Sequence, residues 1–158
     1  MTRSDNGTLP WAALLDPTPE VFFEFRKGHS VWAACGWTWD AVAITPLQRG
    51  LAALDELALP MDGEYTVIAD HARQELIVYI PCGTGAVLDG LPGVRVLGRG
   101  TDLLVPAGQY GTFAAAWLSR PRGEADEAFI TPARLRAALL AADAAHHTYE
   151  TAEPARAE

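Results

Sequence analysis

Two glycine-rich segments carry the residue types that hold anions. Cys82-Gly83-Thr84-Gly85 and Gly98-Arg99-Gly100-Thr101 each offer backbone N–H groups beside a hydroxyl or a guanidinium, which is how turns cradle phosphates. Neither has the spacing of a P-loop or a dinucleotide fingerprint, and as plain turns they need no ligand. With Arg95 close by, Gly83, Thr84, Gly85, Arg95, Arg99 and Thr101 are the candidate ligand-binding residues. Arg120 and Arg122 extend the run of cations, against the simpler reading of scattered solvated charge.

Other chemistries are poorly supplied. Covalent catalysis needs a nucleophile with a base in reach. The one pairing worth naming, Cys82 with His71, places the two residues at opposite ends of a single strand. Two-metal phosphoryl transfer needs several carboxylates on rigid elements. The acids here are Asp55-Glu56, Asp62-Gly63-Glu64 and Glu124-Ala125-Asp126-Glu127, which read as solvated surface. His29, His71 and the adjacent His146-His147 have no second ligand pair at zinc spacing. No catalytic residue, metal or cofactor is expected.

A third group suits contact with a partner. Trp11, Leu14, Leu15, Val21, Phe22, Phe23 and Phe25 crowd a short stretch broken by Asp16-Pro17-Thr18-Pro19. Packed on its own domain this arm is ordinary core; left exposed it is a partner or dimer surface. Trp11, Leu15, Phe22, Phe23 and Phe25 are therefore the candidate partner-binding residues.

The elements that position these groups follow from periodicity. Trp37 to Ile44 alternates, with Trp37, Trp39, Ala41 and Ala43 on one face and Thr38, Asp40, Val42 and Ile44 on the other, which predicts a strand. Thr45-Pro46 supplies a cap and a first-turn proline, and Leu47, Leu51, Leu54 and Leu57 predict an amphipathic helix up to Pro60. Tyr65 to Ala69 and Glu75 to Pro81 predict an antiparallel hairpin. Val94 to Leu97 and Leu103 to Val105 predict a second strand pair around the 98–101 turn, and Phe113 to Leu118 a further strand. Pro19 to Lys27 fits neither period. Thr131-Pro132 repeats the helix entry, with Leu135, Leu139 and Leu140 as its stripe. The expected fold is α+β: a small, mostly antiparallel sheet with flanking helices. The divisions are an aromatic-rich arm at 1–27, a single domain at 28–148, and a disordered tail at 149–158.

Composition narrows the function. The chain has 158 residues, 49% hydrophobic and 20% charged, with a net charge of −8. That is globular, and no apolar run reaches the roughly 20 residues that cross a bilayer. The acidic balance argues against strong non-specific nucleic-acid binding, which depends on cations displacing counterions. With no basic-then-apolar leader and two cysteines far apart in sequence, a cytoplasmic location without a structural disulfide is expected.

The motifs follow one another in a set order. Trp39-Asp40-Ala41-Val42 leads into a proline and a Gly-x-x-Ala-Leu helix. Val67 to Tyr79 then ends in Ile80-Pro81-Cys82-Gly83, followed by Val96-Leu97-Gly98-Arg99-Gly100 and Leu104-Val105-Pro106-Ala107. Over roughly Gly36 to Ser119 the chain resembles small actinobacterial proteins grouped with the bifunctional DNA primase/polymerase N-terminal domain, as a degenerate member. Active prim-pol domains set a carboxylate pair on one strand, a His on the next and a further acid nearby. Here Glu75-Leu76-Ile77-Val78-Tyr79 has no His, and Arg95 stands where an acid would be sought. The resemblance thus implies a prim-pol-like scaffold without its polymerase site. The expected function is that of an inactive accessory or regulatory protein binding a nucleotide or single-stranded nucleic acid. The alternative is an interaction module or homodimer using the aromatic arm.

Overall fold

The computed structural model describes residues 10–61, 65–121 and 129–157, with side chains characterised as far as residue 147. A 3-10 turn at Trp11–Leu14 precedes α1 (Pro19–Phe25), β1 (His29–Ala34), β2 (Asp40–Ile44) and α2 (Leu47–Glu56). The hairpin β3 (Val67–Asp70) and β4 (Glu75–Ile80) leads to a second 3-10 turn at Gly85–Leu88. Then come β5 (Val94–Leu97), β6 (Asp102–Ala107), β7 (Gly111–Thr112), β8 (Ala115–Ser119) and α3 (Pro132–Ala157). Among the described residues six strands form one sheet in the order β5-β2-β4-β3-β8-β7, and β1 with β6 forms a separate two-stranded ribbon. Every pairing is antiparallel, so the fold class is α+β.

Alternation along the central strands builds two cores. Val42 and Ile44 of β2, with Leu76, Val78 and Ile80 of β4, face Leu47, Leu51 and Leu54 of α2 and Leu135 and Leu139 of α3. The intervening residues Ala41, Ala43, Ile77 and Tyr79 face the other way, onto Cys35, Leu103 and Ala115. Strand side chains alternate between faces, so one five-residue strand serves both layers. Each fully buried leucine contributes about 2 kcal/mol of transfer free energy. Arg49 ties the helical layer together: its Nε and Nη2 each donate to Asp143 at 2.9 Å, and its Nη1 donates to the Pro92 carbonyl.

Several expectations are corrected. Val94–Leu97 and Asp102–Ala107 are both strands, but they do not pair with each other: β5 joins β2, and β6 joins β1. The Gly98–Gly100 turn therefore carries the chain from sheet to ribbon. Thr45 does not cap α2; Pro46 holds the cap position, and the Thr45 hydroxyl donates to Glu75 Oε2 at 2.9 Å. The undecided segment is helical because Thr18 caps it, Oγ1 accepting the Val21 N–H at 3.2 Å. The last helix runs on to Ala157 where a disordered tail was expected from 149. Its alanine-rich composition favours propagation.

The arm is also revised. Trp11 is 2% exposed and belongs to the helical-side core, its Nε1 donating to the Leu59 carbonyl at 2.7 Å. Asp55, read as solvated surface, anchors the segment by accepting the Trp11 and Ala12 N–H groups at 2.7 and 3.0 Å. Leu15 packs against the same core, and Phe25 is buried. Trp11 and Phe25 are thus withdrawn from the partner surface, because the domain's own interior covers them. Among the described residues no helix is long and apolar enough to cross a membrane.

Candidate binding cleft

The sheet face opposite the helices meets the ribbon across a cleft of about 200 Å³. Its floor is apolar, from Ile68, Ile77, Leu97, Leu103 and Leu104. Around it stand Asp70, Arg73, Glu75, Arg95, Thr101 and Asp102, with Trp32 contributed by β1. The β3–β4 hairpin delivers Asp70, Arg73 and Glu75 together because its turn is short: Asp70 Oδ1 accepts the Arg73 N–H at 2.9 Å, closing the bend. Arg95 reaches the same end of the sheet from β5, opposite Ala43 of β2.

The charges here are largely engaged. Arg95 Nη2 donates to both Glu75 oxygens, at 2.9 and 2.8 Å, while Thr45 donates to Oε2. Glu75 is therefore occupied as an acceptor rather than free to take a proton or a cation. Arg73 makes no ion pair with another described residue. Trp32 is 70% exposed. An apolar floor and an exposed indole suit reversible stacking of a flat ligand, with Arg73 the unpaired cation among the described residues beside the carboxylates of Asp70 and Asp102.

The predicted ligand residues fall into two places. Arg95 and Thr101 line the cleft. Gly83, Thr84, Gly85 and Arg99 lie away from it, at the corner formed by Asp40 and the 36–38 and 98–100 turns. There the Gly83 N–H donates to Asp40 Oδ2 at 2.9 Å, and the Thr84 hydroxyl donates to the Pro81 carbonyl at 2.6 Å. Gly85 is buried against Val96 and Ile80. The first glycine turn thus holds a carboxylate of its own chain, which repels a phosphate. Arg99 lies over the Trp37 ring at 4.0 Å, and its Nη2 donates to the Gly36 carbonyl. Gly36 is required here: at φ +90° a side chain would run into the Arg99 backbone at 2.3 Å.

The two thiols differ. Cys35 is fully buried, and burial, followed by Asp40, Asp102 and Cys82, pushes it up to about 11. Cys82 is exposed. It is also raised, through desolvation and then Asp40, with Arg99 opposing. Both directions disfavour the nucleophilic thiolate. Tyr79, stacked on Trp39 at 4.0 Å, is raised by burial and then by Cys35. Among the described residues no three His, Cys, Asp or Glu side chains converge to hold a metal ion. The acids at 62–64 and 124–127, and Arg122, lie outside the described residues.

A second feature adjoins the ribbon. Phe22 and Phe23 are 51% and 56% exposed. Phe22 meets Phe113 edge-on at 5.6 Å, and Phe25 and Phe113 flank the buried His71 at 6.1 and 5.5 Å. Phe22, Arg26, Ser30, Leu104 and Phe113 outline a shallow groove.

Periodicity could not have found Trp32. It lies in His29-Ser30-Val31-Trp32-Ala33-Ala34, a short run with no turn signal of its own, and its exposure depends on which strand it pairs with. Comparison with protein-family models, curated proteins and solved structures returns no match.

Proposed function

We propose that this chain is an accessory binding protein on a prim-pol-like scaffold, taking a nucleotide or a short single strand in the cleft between sheet and ribbon. The observation that carries the reading is the exposed Trp32 indole on the same cleft as Arg73 and Arg95. An aromatic face stacks any base for about 1–3 kcal/mol, and Arg73 is free to meet a phosphate. The reading gives no catalytic role to Glu75, which is held by Arg95 and Thr45, or to Asp70, which closes a turn.

The net charge of −8 means that stacking, not general attraction to phosphate, must supply the affinity. Titration with mononucleotides and short oligonucleotides should quench tryptophan fluorescence. The salt slope should be shallow, that of one or two phosphate contacts, about 0.7 each. Trp32→Ala should abolish binding, and Arg73→Ala should flatten the slope. An unchanged melting temperature with every nucleotide and oligonucleotide would remove the reading.

A second reading is favoured by the exposure of Phe22 and Phe23 beside Phe113. In it, the face of α1 is a protein contact surface. Light scattering on Phe22→Ser/Phe23→Ser tests it against the intact chain.

A further inference from the structure

The ribbon carries an unguarded strand edge. In an antiparallel ladder, residues alternate between those whose N–H and C=O groups face the partner strand and those whose groups face away. The bond from the Cys35 N–H to the Thr101 carbonyl, at 2.9 Å, sets the phase, since residues 35 and 101 continue the β1–β6 register. His29, Val31 and Ala33 thus bond to β6, while Ser30, Trp32 and Ala34 turn theirs outward. Among the described residues these outward groups have no backbone or side-chain hydrogen-bond partner.

Other strand edges are protected in the usual ways. On β6, Pro106 occupies an outward position opposite Ser30, where its missing N–H costs nothing. The outer strand β5 carries Arg95 and follows Pro92, and β7 is only two residues long. β1 has no proline, lysine, carboxylate or bulge, and it exposes Val31 and Trp32.

We propose that β1 pairs antiparallel with β1 of a second copy of this chain. The outward set is self-complementary in one register: Ser30 opposite Ala34, Trp32 opposite Trp32, Ala34 opposite Ser30. In that register every outward N–H meets a carbonyl across a two-fold axis. No one-residue slip achieves this, because it would set outward residues against inward ones. The Trp32 side chains of the two copies then stand side by side on one face, a favourable cross-strand aromatic pair. Ser30 also borders the groove that contains Phe22, so the seam is continuous with the exposed aromatic face. This gives the contact reading a definite surface and occupant; because Trp32 also lines the cleft, Ser30→Pro, which leaves the indole in place, tests the seam apart from nucleotide binding.

The test uses the full chain in sedimentation equilibrium over a concentration series. The expected result is a dimer that Ser30→Pro weakens roughly tenfold or more, since each copy loses one intermolecular N–H. Position 30 is chosen because its own ladder does not use that N–H. Trp32→Lys should likewise give monomer with an unchanged circular dichroism spectrum. A wild-type chain that remains monomeric throughout, or a dimer indifferent to both changes, overturns the proposal. Should the variants fail to fold, hydrogen exchange on the wild type decides. Amides of Ser30, Trp32 and Ala34 should gain protection as concentration rises, and fast exchange under dimeric conditions refutes the pairing. A dimer dispersed by Phe22→Ser/Phe23→Ser but untouched by Ser30→Pro would keep the contact reading and remove the strand seam.

Discussion

Replacing Trp11 with alanine separates an arm that belongs to the domain from one that waits for a partner. The side chain is 2% exposed within the helical-side core, and its Nε1–H is bound to the Leu59 carbonyl at 2.7 Å. Truncating a buried aromatic to alanine costs about 3–5 kcal/mol, through lost transfer free energy and an unfilled cavity. Against a total stability of about 5–15 kcal/mol that is a large fraction. For a chain of this size, about 4 kcal/mol lowers Tm by roughly 8–16 °C. Trp11→Phe keeps most of the ring but leaves the Leu59 carbonyl unpaired, so about 1–3 kcal/mol is expected. Asp55→Ala, which frees two N–H groups of the same segment, should cost about 1–2 kcal/mol. Urea unfolding followed by circular dichroism, at one fixed protein concentration because a dimer's midpoint depends on it, reads all three. A Trp11→Ala chain within about 0.5 kcal/mol of wild type would show that the arm does not contribute to this core.

The remaining expectations concern single groups. His71 is lowered by burial, with Asp16 and Asp70 opposing; its unfolded imidazole titrates near pH 6.5, so below that pH the unfolded chain binds more protons. Its contribution is complete above about pH 6.5 and is lost as pH falls toward the folded value, so His71→Phe should flatten the acid limb of stability against pH; coincident limbs would refute this. A thiol reagent should label Cys82 in the native protein and reach Cys35 only on unfolding; Cys82→Ser should abolish native labelling, and fast native reaction of both thiols would contradict the burial. Gly50→Ala gains about 1 kcal/mol of helix propensity, yet its methyl would lie 2.6 Å from Leu76 Cβ. A net loss of about 1–2 kcal/mol is expected from overpacking, and a rise in Tm would show that α2 can lift off the sheet.

Much of the fold was legible because its signals are local. The alternation read over Trp37 to Ile44, the leucine spacing of α2, the β3–β4 hairpin and the Thr131-Pro132 entry each depend on residues a few positions apart; each element forms, the strand beginning only at Asp40 because residues 35–38 bend. The strand at 29–34 left no such mark, since His29 to Ala34 lacks clean alternation of apolar and polar side chains.

What the amino-acid order determined by itself was the α+β class, most of the elements and the two faces of the central strand. Tertiary structure alone decided that β5 and β6 part company, that Trp11 is interior, that Arg95 is bound to Glu75 and that the first glycine turn encloses Asp40. The physical reason is range. Backbone periodicity and capping are set within a turn or two of chain, whereas strand pairing, burial and charge neutralisation depend on neighbours brought together from distant sequence. Trp11 meets Leu59 across 48 residues and Arg95 meets Glu75 across 20.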